Sequence, residues 1–438
     1  MKVLVANRGA VAARILRALK ALDMESVAVY SDADAALPYL QEADQAVNIG
    51  AASARDSYLN QEALLRTALA HDCAAVHPGY GFLAENAQFA ERVRAAGLAF
   101  IGPSPRWISL LGDKIRARQY LQPFGMPMLP SSGELYAQND LAAAVDQLGL
   151  PVLLKPSGGG GGIGMVPIRE AAEIPAAWQR AKSLSEKAFS TSGLYIEKLA
   201  VRPRHIEFQF LADRYGNVRC LFERDCSIQR RHQKVIEESP APNVPPEQLT
   251  AIIAELERIM GAIAYDVIGT VEMLYDANTG FQFLEVNTRL QVEHAVTEEI
   301  TGIDIVAAQI RLALGERLDE VLPARIACNG HAIEARIYAE DPVSFFPSCG
   351  VLSEFAFAAD AGIRVETGYG PGNRVTAYYD PMLAKVIAHA ANRHACIDRL
   401  EQALVQSRIT GVKTNIPFVL QTLASRDFRL AEHSTDNH

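Results

Sequence analysis

Two acidic residues on neighbouring strand patterns are spaced as the ligands of a metal ion would be. The runs 269–275 and 281–287 have strand patterns and are joined by a short turn, which predicts a β-hairpin. If the turn consists of residues 277–280, cross-strand pairing puts Glu272 directly opposite Glu285. Like charges that face each other destabilise a sheet, so a cation is expected between them.

A third oxygen donor lies on the same predicted strand. Asn287 shares the face of Glu285, because successive side chains along a strand point to opposite sides. Oxygen-only ligands that leave positions open for phosphate suit Mg²⁺ or Mn²⁺. The alternative is a solvated pair of carboxylates on an exposed hairpin, which the neighbouring Phe281 and Phe283 disfavour. We therefore predict a metal site formed by Glu272, Glu285 and Asn287.

The second strand continues into a short segment, residues 287–294, that holds an arginine, a glutamine, a glutamate and a histidine. Just after a metal hairpin, these side chains are well placed to hold a second, small substrate. A carboxylate there could act as a general base if a neighbouring cation holds the substrate proton near it. A surface loop is the alternative, and periodicity does not decide between the two.

Another polar segment, residues 223–234, follows the strand pattern at 218–222. A charged exposed helix is one interpretation, but the segment lacks apolar residues at helical spacing. We interpret it as an extended segment that lines a site. Upstream, alternating polar and apolar residues direct His205, Glu207 and Gln209 along one face of a strand.

Five consecutive glycines, residues 158–162, follow a short apolar run at 151–154 and Lys155. Glycine contributes no burial and loses the most conformational freedom on folding, so a packed element has no use for such a run. A mobile loop of this kind brings backbone N–H groups to anionic oxygens without interference from Cβ atoms. A flexible surface linker is the alternative, although linkers mix in serine and seldom begin on a lysine carried by a strand. The run predicts a lid over phosphate groups and leaves open which nucleotide enzyme this is.

Strand and helix patterns alternate through about the first hundred residues. Short apolar runs at 3–6, 27–30, 74–76 and 99–101 are separated by helix-like stretches. Strands that alternate with helices predict a parallel, doubly wound sheet. The glycine pattern of a dinucleotide site does not follow the first strand, and residues 102–105 end this unit.

Length and composition limit the classes of protein to consider. The 438 residues exceed the size of about 250–300 at which single cores stop growing, so two or three domains are expected. A net charge of −9 argues against nucleic acid as the main partner. The sequence shows neither a signal peptide nor an apolar stretch long enough for a bilayer, and its six cysteines have no regular spacing. We therefore expect a reduced, cytoplasmic protein without a membrane segment.

Together these segments resemble the biotin carboxylase family of the ATP-grasp superfamily. Matching motifs extend through nearly the whole chain, at residues 7–9, 77–83, 112–114, 158–162, 223–234, 287–293 and 334–337. The resemblance implies three domains, the first a Rossmann-like doubly wound α/β domain at 1–112. An ATP-grasp domain at 113–326, with a mobile glycine-rich lid at about 130–200, and a mixed α+β C-terminal domain at 327–438 would follow.

The resemblance also implies an ATP site between the two halves of the ATP-grasp domain. The residues that match nucleotide contacts are Lys114, Lys155, Gly161, Gly162, Glu197, Lys198, Leu199, Ala200, His205, Gln229, His232, Glu272 and Glu285. The family's ligands for two Mg²⁺ or Mn²⁺ ions match Glu272, Glu285 and Asn287, the three residues that the hairpin pattern indicates. Bicarbonate would be held by Lys234, Arg289, Gln291 and the backbone of Val292.

By the same resemblance, Glu293 is the base that deprotonates bicarbonate for attack on the γ-phosphate of ATP. Lys234, Arg289 and Arg336 are assigned to catalysis with it. The resulting carboxyphosphate would release CO₂, and the freed phosphate would take the N1 proton of biotin. Arg336 would stabilise the biotin enolate, with Tyr80 also at the biotin site. Lid closure would exclude the water that hydrolyses carboxyphosphate.

Three positions depart from the common bacterial pattern. Ile163 replaces the basic residue that usually follows the glycines, so the lid has one charge fewer for phosphate. An apolar residue there is similar to the urea carboxylase branch, whereas His232 is similar to the acyl-CoA carboxylase pattern. Ala10 and Cys349 replace a glutamate and a proline, and neither change removes a group that the chemistry needs.

The sequence contains no Met-Lys-Met tripeptide of a biotinyl acceptor. The resemblance therefore implies that biotin arrives on a separate biotin carboxyl carrier protein, or that this chain is one piece of a larger enzyme. Carboxyltransferase subunits and a homodimer complete the implied assembly, which would perform the first half-reaction of an acetyl- or acyl-CoA carboxylase. A urea-type carboxylase, a bicarbonate-activating ligase of the carbamoyl-phosphate-synthase type and a non-catalytic nucleotide sensor remain as alternatives. The intact set of bicarbonate and base residues argues against the sensor, and the final carboxyl acceptor is left open.

Overall fold

The computed structural model describes residues 1–156, 164–189, 193–200, 202–231, 233–358 and 360–435. The predicted phosphate lid at 158–162, with Gly161 and Gly162, lies outside these ranges, as do Ile163 and His232. Their roles therefore stay predictions. Within the described ranges, no helix is both long and apolar enough to cross a membrane.

The N-terminal part of the chain forms a parallel sheet with helices on both faces. Its elements are β1 (Lys2–Val5), α1 (Gly9–Ala21), β2 (Glu25–Tyr30), β3 (Gln45–Asn48), α2 (Gln61–Ala70), β4 (Ala75–His77), α3 (Ala87–Ala95), β5 (Ala99–Phe100) and α4 (Pro105–Leu111). The five strands pair in the order β3-β2-β1-β4-β5. Because side chains alternate along β1, Val3 and Val5 pack in one core cluster and Leu4 in another. The predicted parallel, doubly wound sheet is confirmed.

A small antiparallel sheet follows. The elements of this region are α5 (Lys114–Leu121), α6 (Gln138–Leu148), β6 (Val152–Pro156), β7 (Val166–Ile168), α7 (Ile174–Phe189) and β8 (Leu194–Lys198), and the strand order is β7-β6-β8. Val152 and Leu154 are buried in one apolar cluster. Leu153 and Lys155 therefore face the opposite side of β6, where both line a cavity. The prediction that a buried strand carries Lys155 is confirmed.

The largest sheet has eight strands. The remaining elements are β9 (Arg204–Ala212), β10 (Val218–Arg230), β11 (Gln233–Ser239), α8 (Pro246–Ala262), β12 (Val267–Asp276), β13 (Gly280–Asn287), α9 (His294–Thr301), α10 (Ile305–Ala313), α11 (Leu318–Val321), β14 (His331–Tyr338), β15 (Gly350–Val351), β16 (Glu354–Ala356), β17 (Ile363–Thr367), β18 (Arg374–Val375), β19 (Met382–Ala390), α12 (Arg393–Gln406), β20 (Arg408–Thr410), α13 (Ile416–Ala424) and α14 (Arg426–Arg429). The sheet order is β13-β12-β9-β10-β11-β14-β19-β17. Since β11 pairs with β14, the sheet runs across the predicted boundary between residues 326 and 327.

The polar segment at 223–234 lies mostly in β10, so its extended form is confirmed and the helix alternative is wrong.

The hairpin of β12 and β13 pairs Glu272 with Glu285, as predicted, but its loop and its strand pairing differ from the prediction. Gly280 pairs with Asp276, so the predicted four-residue turn at 277–280 is wrong, and the loop holds three residues. Gly280 has a φ of +72°, the left-handed conformation that ends a three-residue hairpin loop. A β-bulge then adds one residue, Leu284, between the Met273 and Glu272 pairs. The shorter loop and the extra residue cancel, which restores the register of the two glutamates.

Helix α9 lies across the eight-stranded sheet and contacts β10, β11, β14 and β19. The fully buried Arg224, on β10, ties this helix to the sheet. Its guanidinium donates to Glu207 and Gln209 on β9, and to the hydroxyl of Thr297 on α9 at 3.0 Å. Because Glu293 is the N-cap residue of α9, the position of the helix fixes the position of that carboxylate.

We expect Arg224→Met to lower the free energy of unfolding by about 3 kcal/mol, because the buried Glu207 loses its ion pair with Arg224. Denaturant unfolding followed by circular dichroism measures the change. The control is Arg92→Met, since a surface ion pair such as that of Arg92 with Glu62 contributes at most about 1 kcal/mol. An Arg224→Met protein as stable as the wild type would contradict this role.

Candidate active site

The ammonium group of Lys234, on β11, lies between three carboxylates. Its Nζ is 2.6 Å from Glu207 Oε2, 2.6 Å from Glu272 Oε1 and 2.7 Å from Glu293 Oε1. Burial alone would lower the pKa of Lys234, but the three carboxylates raise it well above its ordinary value. The lysine is therefore a permanent cation at the centre of the site.

Glu293 joins that lysine to Arg336, on β14. One oxygen of the carboxylate contacts Lys234, and the other accepts from Arg336 Nη2 at 2.9 Å. Burial would raise the pKa of Glu293, but the cations around it hold the pKa well below its ordinary value. A completely buried carboxylate is thus kept ionised, as a proton acceptor must be.

The segment 287–294 is buried, so the surface-loop alternative is wrong. Gln291 is 2% exposed, and both Glu293 and His294 are completely buried. Arg289 donates to Gln291 Oε1 at 2.7 Å and to Glu85 Oε2 at 2.8 Å. Glu85 belongs to the loop between β4 and α3, so the N-terminal part of the chain helps to orient this arginine.

Three glutamates lie in one row across neighbouring strands. Glu207 on β9 is opposite Glu272 on β12, which is opposite Glu285 on β13. Lys234 contacts the first two of them, and Lys114 Nζ lies 2.9 Å from Glu285 Oε2. The burial of Glu272 rules out the exposed-hairpin alternative, whereas a cation between Glu272 and Glu285 stays a prediction.

The donor set of the hairpin fits Mg²⁺ or Mn²⁺. Burial would raise the pKa of Glu272, but Lys234 and His205 lower it well below its ordinary value, so this carboxylate is ionised. Asn287 Nδ2 donates to Glu272 Oε1 at 2.8 Å, which brings the amide next to the carboxylate. Two carboxylates and one amide oxygen on one face of a hairpin are the hard oxygen ligands that these ions prefer.

His205 connects Glu272 to Gln229. Its Nε2 is 2.8 Å from Glu272 Oε2, and its Nδ1 is 2.8 Å from Gln229 Nε2. The pairing of β9 with β12 is unbroken from His205 to Gln209, and Glu207 and Gln209 both contact Arg224, so the predicted common face of the three residues is confirmed. Burial would lower the pKa of His205, but Glu272 raises it.

Lys155 and Glu197 form a buried ion pair on β6 and β8. Arg118, on α5, lies 2.7 Å from the second oxygen of the same carboxylate. Burial lowers the pKa of Lys155, although Glu197 opposes the shift. Lys198, the last residue of β8, donates to the carbonyl oxygens of Gly149 and Leu150.

Three adjoining cavities are lined by the predicted site residues that fall within the described ranges. The first, of about 380 Å³, is lined by Lys155, Glu197, Lys198, Leu199, Ala200, His205 and Gln229 together with apolar side chains. The second, of about 280 Å³, is lined by Lys114, His205, Gln229, Lys234, Glu272, Glu285, Asn287, Arg289, Gln291, Val292, Glu293 and Arg336. The third, of about 550 Å³, is lined by Tyr80, Arg289, Val292, Arg336 and further aromatic side chains. Shared lining residues make the second cavity, at the hairpin carboxylates, the neighbour of both the first, an apolar pocket, and the third, an aromatic pocket.

Arg118 and Glu85 were missing from the predicted set. Each acts on a predicted residue, Arg118 on Glu197 and Glu85 on Arg289, from a segment far away in the sequence. Neither belongs to a periodic pattern that points to the site. The sequence offers no signal for such contacts, because they exist only once the three parts of the chain have packed together.

Models of protein families match three successive parts of the chain. Residues 1–108 match the N-terminal domain of biotin carboxylase, and residues 334–437 match the biotin carboxylase C-terminal domain. Between them, residues 113–321 match the ATP-binding domain of the carbamoyl-phosphate synthase L chain.

Individual proteins resemble the chain over its full length. Biotin carboxylase 2 of Bacillus subtilis is 45% identical over 99% of this chain and 98% of its own length. A biotin carboxylase–beta-gamma-ATP complex from Campylobacter jejuni has a TM-score of 0.96 at 39% identity, covering 99% of this chain and 97% of the other. The biotin carboxylase domain dimer of 2-oxoglutarate carboxylase from Hydrogenobacter thermophilus, solved with MgADP, ADP and bicarbonate, has a TM-score of 0.95 at 42% identity. That comparison covers 99% of this chain and 96% of the other.

Removal of one hairpin carboxylate should weaken metal binding. We expect Glu285→Gln to lower the affinity for Mn²⁺ in the presence of ADP by about tenfold or more, because one of two anionic ligands becomes neutral. Titration of free Mn²⁺ by electron paramagnetic resonance measures the affinity. Glu255→Gln, a change in the surface pair with Arg258 on α8, should leave the affinity unaltered. Equal affinities of the Glu285→Gln variant and the wild type would exclude Glu285 as a ligand.

Proposed function

The chain belongs to the biotin carboxylase family, and we propose that it uses ATP and bicarbonate to carboxylate biotin borne by a carrier protein. The observation that carries the proposal is the position of Glu293. This ionised carboxylate lies between Lys234 and Arg336, at the cavity that adjoins both the apolar pocket and the aromatic pocket. A proton acceptor there can reach a small anion held between a nucleotide and a second organic substrate.

ATP would occupy the first cavity, with its phosphates toward the second. Lys114 and Lys155 would neutralise phosphate oxygens, and His205 and Gln229 would line the passage between base and phosphates. Glu272, Glu285 and Asn287 would hold Mg²⁺ or Mn²⁺, which supplies further charge neutralisation to the phosphates. The glycine run would close over them, with Gly161 and Gly162 in contact and His232 nearby.

Bicarbonate would be held by Lys234, Arg289, Gln291 and the backbone of Val292, next to the carboxylate of Glu293. Glu293 would take the bicarbonate proton as the resulting oxyanion attacks the γ-phosphorus, with ADP as the leaving group. Collapse of the carboxyphosphate would give CO₂ and inorganic phosphate. The phosphate would remove the N1 proton of biotin, and the enolate nitrogen would attack CO₂.

The third cavity fits the biotin half of this reaction. Arg336 lines both the second and the third cavity, so its guanidinium can face the enolate oxygen while it stays close to the site where CO₂ is formed. Tyr80 and the other aromatic side chains supply the apolar walls that a bicyclic ring needs.

The assembly and the domain limits belong to the same proposal. We assign residues 1–112 to the N-terminal domain, 113–326 to the ATP-grasp domain with its lid at about 130–200, and 327–438 to the C-terminal domain. A biotin carboxyl carrier protein and carboxyltransferase subunits would be the partners, and the dimer in the Hydrogenobacter structure supports a homodimer. All six cysteines are unpaired, which supports a cytoplasmic location. The carboxyl acceptor is left open, because both a biotin carboxylase and a 2-oxoglutarate carboxylase domain resemble the chain closely.

The test is the release of phosphate from ATP with and without bicarbonate, and with and without free biotin. We expect hydrolysis that depends on bicarbonate and that free biotin accelerates. Ammonia should not replace biotin, which separates this reaction from that of a carbamoyl-phosphate-synthase type of enzyme. ATP hydrolysis that free biotin does not accelerate would contradict the proposal.

Glu293→Gln should remove the base without removing the nucleotide site. We expect the bicarbonate-dependent rate to fall by about 10²–10⁴-fold, the usual contribution of a positioned general base. Binding of ADP, followed by calorimetry, should persist in this variant, since Glu293 lines only the second of the two cavities assigned to the nucleotide. A variant that retains most of its bicarbonate-dependent activity would show that another group takes the proton.

A further inference from the structure

Lys385, on β19, is a completely buried cation next to the segment that carries Glu293. Its Nζ donates to the carbonyl oxygen of Val292 and lies 2.8 Å from Glu366 Oε2. Glu334 Oε2 is 3.4 Å away. A buried lysine is costly unless its charge is paired, and these two glutamates pair it. This charge pairing does not explain why Lys385 also donates a hydrogen bond to the carbonyl of Val292, the residue just before Glu293.

The register of the sheet places Lys385 beside Arg336. The two residues are direct partners between β14 and β19, and Glu366 is the partner of Lys385 on β17. Direct partners in an antiparallel pair project to the same face. On that face, Arg336 contacts the side chain of Glu293 while Lys385 contacts the peptide that joins Val292 to Glu293.

The segment 288–293 needs such contacts, because it belongs to neither β13 nor α9. Side chains from other parts of the chain hold its backbone at both ends. Glu85 accepts from the Thr288 N–H at 3.2 Å, and Lys385 donates to the Val292 carbonyl. A hydrogen bond from a charged donor is about twice as strong as one between neutral groups. The bond from Lys385 therefore holds the C-terminal end of the segment 288–293 in place.

We infer that Lys385 is a positioning residue for the carboxylation reaction: its ammonium group fixes the Val292–Glu293 peptide and thereby aligns the bicarbonate-binding backbone with the base. The inference rests on the proposed function and adds a residue to it. Lys385 lines none of the three cavities and would touch no substrate, so its effect reaches the reaction through the backbone alone.

The rival explanation is that Lys385 only neutralises Glu334 and Glu366 in the core. Lys385→Met alone does not separate the two, because it leaves the buried Glu334 without a cationic partner and can unfold the protein. Glu366 would keep its ion pairs with Arg364 and Arg14. The double variant Lys385→Met/Glu334→Gln removes a cation and an anion together, and so keeps the balance of charge. Glu334→Gln alone is the matched control, since it retains the bond from Lys385 to Val292.

The experiment compares the full chain and these two variants in bicarbonate-dependent ATP hydrolysis, with thermal unfolding as a check on folding. For the double variant we expect kcat to fall and the KM for bicarbonate to rise, each by about tenfold, as the loss of a charge-assisted hydrogen bond allows. The KM for ATP should stay within about twofold, because the nucleotide contacts are untouched. Glu334→Gln should keep the wild-type KM for bicarbonate.

A folded double variant with wild-type kinetic constants would overturn the inference. A double variant that fails to fold would overturn it too, since Lys385 would then be needed for the core itself. Failure of the proposed function gives a different result, namely a wild-type protein whose ATP hydrolysis does not respond to bicarbonate or biotin.

Discussion

The attraction between one buried ammonium group and three carboxylates is the interaction on which the site depends. Glu207, Glu272 and Glu293 come from two strands and the start of a helix, and all three converge on Lys234. In a medium of low dielectric constant, these carboxylates would repel one another strongly without that cation. Lys234 therefore allows a sheet interior to hold a high density of negative charge.

A second principle is that some carboxylates of the site have more than one cationic partner. Glu293 is shared by Lys234 and Arg336, and Glu197 is shared by Lys155 and Arg118. Sharing means that a bound anion can take over one cation without leaving a carboxylate unpaired. The network is therefore suited to exchange contacts with substrates during a reaction, which a set of isolated ion pairs is not.

The sequence predicted the parts of this structure that depend on local periodicity. Alternation placed Glu272 opposite Glu285 and grouped His205 with Glu207, and the strand–helix alternation gave the first sheet. The turn of the hairpin was predicted one residue too long, because a bulge at Leu284 cannot be read from alternation. The roles of Glu85 and Lys385 were not predictable, since they depend on contacts between residues about two hundred and about ninety positions apart.

The eight-stranded sheet also has a consequence for how the chain can be divided. Strands on both sides of residue 326 share one hydrogen-bonded ladder, with β11 next to β14. Fragments cut at that point would each expose a long unpaired edge of a central strand, the feature that drives intermolecular strand addition and aggregation. The strands after residue 326 thus depend for their folding on the strands that precede them.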